Sequence, residues 1–90
     1  MKPRITMNTD ADGVLEIWLN EQGRDLLVRE LQALSEKSDH FHLGSFGGAD
    51  VQVKDRAYRP TDTVLHAGKV LFRTDEWDRR YFPHVIEDPA

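Results

Sequence analysis

Ninety residues carrying 12 Lys+Arg against 16 Asp+Glu, for a net charge of −4, specify one acidic domain and leave no room for a second. Hydrophobic residues at 39% and charged residues at 31% match ordinary globular usage, which excludes an intrinsically disordered chain. The absence of cysteine excludes disulfides, thiolate nucleophiles and cysteine-based zinc or iron–sulfur sites, and the acidic balance disfavours a nucleic-acid backbone as partner.

Ile5 and Met7 alternate with Arg4, Thr6 and Asn8; Asp10-Ala11-Asp12-Gly13 then supplies turn chemistry, and Val14 to Leu19 alternates again. This pattern predicts a β-hairpin in which Leu15, Ile17 and Leu19 share one face and Val14, Glu16 and Trp18 the other. Asn20 follows as an N-cap, with Glu21 in the first helical turn. Leu26, Leu27, Leu31 and Leu34 recur at helical spacing, so one amphipathic helix is expected from about Glu21 to about Glu36, with its leucines laid over the Leu15/Ile17/Leu19 face. On that reading Leu31→Asp is the change best placed to unfold the domain.

His40-Phe41-His42-Leu43 reads as a third strand with Phe41 and Leu43 turned inward. Gly47-Gly48 marks a loop needing positive φ, Val51 and Val53 a short edge strand, and Lys54 to Thr63 an exposed excursion. Thr63 to Arg73 is the last strand candidate, interrupted at Gly68 by a bulge or a close backbone approach. Thr74 to Trp77 opens a short helical turn closed by Tyr81-Phe82-Pro83, and residues 84–90 form a fraying tail. The expected architecture over 1–90 is a single α+β domain, ββαβ(β)β, whose mainly antiparallel sheet is covered on one face by one long helix.

No apolar run approaches the roughly 20 residues of a membrane helix and the N-terminus has no apolar signal core, so no membrane partner and a cytoplasmic location are expected. Acids dominate from Asn8 to Asp39, which predicts a negative surface able to steer a basic partner.

Strand alternation brings the chemistry-bearing residues into question together. With Phe41 and Leu43 inward, Glu16, Trp18, His40 and His42 are expected on the open sheet face, with His66 as a possible neighbour. Catalysis would need His40 or His42 as general base with Glu16 or Asp39 orienting it, but no nucleophile or oxyanion device accompanies them, so no enzymatic activity and no cofactor are expected. A metal reading uses the His-x-His spacing, His40 and His42, with His66 or Asp39 as third ligand; that spacing alone is a weak signal. A tryptophan in a small domain is more often core than interface, and of Trp18 and Trp77 the first is the better interface candidate. The expected partner-binding set is Glu16, Trp18, Asp39, His40 and His42.

The run Leu19-Asn20-Glu21-Gln22-Gly23-Arg24-Asp25-Leu26-Leu27, continuing through Leu31 and Leu34 into Ser38-Asp39-His40-Phe41-His42-Leu43, resembles immunity protein family thirty-two of bacterial polymorphic toxin systems. Gly47-Gly48 with Asp50-Val51, and Arg73-Thr74-Asp75-Glu76-Trp77, look like later motifs of the same family, while the Lys54–Thr63 excursion departs from it. The resemblance implies a small non-catalytic protein that binds and neutralises a cognate toxin domain.

Overall fold

Asp10 sets the first turn: its carboxylate accepts from the N–H groups of Asp12 and Val14, both at 2.9 Å, while Gly13 supplies the positive φ of 82°. The computed structural model describes residues 2–87, and the hairpin so formed joins β1 (Ile5–Thr9) to β2 (Leu15–Leu19) in antiparallel register, Met7 opposite Ile17. Asn20 then works as more than a cap. Its side-chain oxygen accepts from Gly23 N–H at 2.7 Å and from Arg4 N–H at 2.9 Å, fastening the start of α1 (Glu21–Gln32) to the start of β1. Gly23 permits that approach, since a Cβ there would stand 2.6 Å from Arg4 O and 2.9 Å from Ile5 Cγ1.

The fold is α+β, with the expected sheet resolved into two. β2, β1 and β5 (Thr63–Val64) form one three-stranded sheet; β4 (Val51–Gln52), β3 (His40–Gly44) and β6 (Ala67–Leu71) form the other. All pairings are antiparallel except β3 with β4, which run parallel. The chain passes from sheet to sheet at two corners. Val53 N–H donates to Gly44 O in the second sheet and Lys54 N–H to Ile5 O in the first; likewise Leu65 N–H donates to Met7 O, while His66 O accepts from Ser45 N–H. The stretch 63–73 is therefore two strands, broken at Leu65–His66 and not at Gly68. Nor does Gly68 mark a close approach, since the Met7 methyl would meet a Cβ there at 3.6 Å, an ordinary contact distance.

The core gathers where the sheets face each other: Ile5, Met7, Phe41, Leu43, Val51 and Val53 are buried, with Leu26, Leu27, Leu34, Leu65 and Val70 packed against them. Val51 stands on an edge strand, β4, as expected, yet it and Val53 just beyond are core residues because their segment ties the two sheets together. Leu15, Ile17 and Leu19 depart from expectation in the other direction, remaining 57%, 46% and 41% exposed on the face they share with Ile5 and Met7. α1 lays Leu26 and Leu27 against the buried cluster but does not enclose these three β2 side chains. The helix stops at Gln32, short of Glu36, because Ser35 and Ser38 bond each other's backbone and side chain in a competing turn. Leu31 is 46% exposed, so it is not the keystone that its helical spacing suggested.

Thr74 caps α2 (Asp75–Tyr81) by accepting from Trp77 N–H at 3.1 Å, and a 3-10 turn at Pro83–Val85 follows. Of the segment expected to fray, residues 84–87 are described, and 88–90 lie outside the described residues. Among the described residues no helix is long and apolar enough to cross a membrane.

Candidate functional site

The expected site residues fall on two different sheets. Glu16 and Trp18 project from β2 on the face opposite Leu15, Ile17 and Leu19, and the excursion between β4 and β5 closes over them. Tyr58 stacks on Trp18 with ring centroids 3.9 Å apart and planes 2° from parallel, and the Arg59 guanidinium lies 5.2 Å from the Trp18 centroid. Arg59 also pairs with Glu16 and, at 3.1 Å, with Asp62, whose side chain is almost fully enclosed. Desolvation pulls the Arg59 guanidinium down, but the Asp62 hydrogen bond and the charges of Asp62 and Glu16 override it and raise its pKa. Beneath them Asn8, fully buried, accepts from Tyr58 N–H at 3.1 Å and donates to Glu16 at 3.1 Å. Glu16 and Trp18 therefore belong to a capped polar layer that pins a loop, and they do not share an open face with the histidines.

His40 and His42 do point outward, from the solvent side of β3, opposite Leu71 and Lys69 of β6. Their rings meet edge to face at 5.1 Å. The His40 ring Nδ1 lies 2.8 Å from Asp39 Oδ1, so that nitrogen carries the proton when Asp39 is ionised. The hydrogen bond from His40, helped by the Arg73 charge, outweighs desolvation and holds the Asp39 carboxyl below the usual carboxylate range. Asp50 holds His42 differently, accepting its main-chain N–H at 2.8 Å with the ring Nδ1 3.6 Å away. That backbone bond depresses its pKa in turn.

Asp39 extends the patch toward the C-terminus. Its second oxygen is 2.9 Å from Arg73, whose guanidinium lies 4.7 Å from the Trp77 centroid. Trp77 in turn packs on Tyr81 at 4.7 Å and on Phe82 at 5.5 Å. Asp39, Arg73, Trp77, Arg80 and Tyr81 are among the residues lining an open cleft of about 310 Å³. Trp77 is 37% exposed and Tyr81 54%, so Trp77 is at the surface, while Trp18, expected as the interface tryptophan, lies under a tyrosine. Asp50, Arg73 and Tyr81 were invisible as site members from spacing alone. A His-x-His strand followed by an acid across a parallel pairing is the signal that would have found Asp50.

His66 stands apart, sharing a 3.1 Å hydrogen bond with Ser45, so it does not complete a ligand set with His40 and His42. Among the described residues no group of three or more His, Asp or Glu side chains is arranged to hold a metal ion. Nor does any carboxylate orient His66 toward Ser45, as a hydrolytic arrangement would need. What the patch offers is paired imidazoles beside carboxylates, an arginine and two exposed aromatic rings along an open cleft, a composition suited to gripping a protein. The chain matches no protein-family model, and neither the curated proteins nor the solved structures include one similar to it.

Proposed function

We propose that this chain is an immunity protein of a bacterial polymorphic toxin system, which binds a cognate toxin domain in the cytoplasm and neutralises it by non-catalytic protein–protein recognition. The observation that carries the reading is the continuous surface running from His42 through His40, Asp39 and Arg73 to Trp77 and Tyr81. Tryptophan, tyrosine and arginine are the residues that dominate binding energy at protein interfaces, and here they are held in place by neighbours before any partner arrives. The residues of this surface overlap the Asp39–Leu43 run and the Arg73–Trp77 run on which the family resemblance rests. The net charge of −4 favours fast capture of a basic toxin surface.

The test is binding of the purified chain to the toxin domain encoded beside it, followed by the toxin's own activity assay. Trp77→Ala and Arg73→Ala each weaken binding by about tenfold or more, and His40→Ala with His42→Ala together abolish protection. Full neutralisation by all of these variants, or no association with the neighbouring toxin, would sink the proposal.

A further inference from the structure

The outer edge of β2 is open and chemically unguarded. Asp10 N–H donates to Val14 O at 2.9 Å and Asn20 N–H to Arg4 O at 3.1 Å, so between these ends the bonded pairs across β1 and β2 are Asn8–Glu16 and Thr6–Trp18. Leu15, Ile17 and Leu19 consequently aim their N–H and C=O groups away from β1. The carbonyls of their partners Ile5 and Met7 confirm this phase, since both turn the other way, to Lys54 and Leu65 N–H at 2.8 Å. Among the described residues nothing bonds the outward groups of β2, and the three side chains beside them are 57%, 46% and 41% exposed.

Proteins protect such edges with lysine, proline, a bulge or extreme shortness. β6, the outer strand of the second sheet, carries Lys69, and β4 and β5 are two residues long. β2 runs Leu-Glu-Ile-Trp-Leu for five residues with no such guard; its one charge, Glu16, is on the opposite face and held by Arg59.

The strand is also complementary to itself. A two-fold axis through Ile17 sets Ile17 against Ile17 and Leu15 against Leu19, and every residue in those pairs is one whose main chain faces outward. Each pair therefore closes two main-chain hydrogen bonds while bringing leucine and isoleucine side chains together on one face. The surface area fits this need. The accessible surface is 6864 Å², whereas a monomer of this mass has roughly 5,400 Å². A standard interface takes about 800 Å² from each partner.

We infer that the protein is an isologous dimer in which β2 pairs antiparallel with β2 of a second copy, registered on Ile17, so that two three-stranded sheets become one. A second copy fits this edge better than a toxin does, because the edge is apolar and self-matching, while the charged surface lies on β3 and α2. The dimer does not depend on the proposed immunity role.

The experiment uses the full chain alone, by sedimentation equilibrium at micromolar concentration. The expected mass is twice 10.4 kDa. Ile17→Lys and Ile17→Glu each weaken association by at least about 100-fold, since like charges then face each other across the axis, with far-UV circular dichroism unchanged because Ile17 is at the surface. Mixing the two variants restores the dimer, because position 17 meets itself. A monomeric wild type, a variant that stays dimeric or a mixture that stays monomeric overturns the inference. So does a monomeric wild type whose Ile17→Lys form loses toxin binding, which assigns the edge to the toxin instead.

Discussion

Both sheets are three strands wide, but their outer faces have different fates. In the β2-β1-β5 sheet the outer face is roofed by the 54–62 excursion, so Thr6 and Asn8 are buried and Trp18 lies under Tyr58. In the β4-β3-β6 sheet none of the described segments roofs His40 and His42, whose side chains stay 46% and 42% exposed beside Asp39 and Asp50. The difference teaches that alternation assigns residues to faces, whereas a segment distant in sequence decides which face water reaches. Glu16 and His42 occupy equivalent outward positions on their strands; one is structural and the other is available to a partner.

The comparison can be broken most forcefully at the shared interior. Phe41→Ala removes a side chain that is 3% exposed, and is expected to cost about 3–5 kcal/mol in urea unfolding. A loss below about 1 kcal/mol would mean that the second sheet does not rest on this core. Asn8→Ala strips the roof of its anchor, leaving Tyr58 N–H unpaired; about 1–3 kcal/mol should be lost, measured the same way. Tyr58→Ala sharpens the contrast further. It costs about 0.5–1.5 kcal/mol, shifts Trp18 fluorescence to the red and leaves binding of the proposed toxin partner intact, whereas Trp77→Ala weakens that binding and leaves the Trp18 emission in place.

At the small end, Leu31→Asp is expected to change stability by only about 0.5 kcal/mol, because the side chain is already half in water. The open patch should show itself as a pH slope. Asp39 and Asp50 have folded-state pKa values depressed by their histidine partners, so their stabilisation is present above the unfolded carboxylate range and lost as pH falls below about 4. Asp39→Asn should flatten that acid limb in thermal unfolding followed against pH, and an unchanged limb would remove the His40 pairing from the account.

Much of the fold could be read from the chain: the Asp10–Gly13 turn, the Asn20 cap, the inward Phe41 and Leu43 and the Thr74 cap are local chemistry, and each stands where its residues put it. The misplaced pieces all depend on distant partners. Leu15, Ile17 and Leu19 looked interior because nothing in their own spacing reveals how little of their strand α1 encloses. Trp18 looked free because its cover, Tyr58, is supplied by an excursion with no periodicity to place it. The site was legible as far as Asp39, His40 and His42; its extension through Arg73 to Trp77 needed the ion pair that only the folded chain brings together.

The two corners at Val53–Lys54 and Leu65–His66 have a consequence for how the protein folds. β1 is the central strand of its sheet, yet the groups that seal its second side belong to Lys54, Thr63, Val64 and Leu65. The N-terminal hairpin therefore stays half-finished until the chain through Leu65 folds back onto it, and closure of the first sheet depends on long-range loop formation, which slows folding.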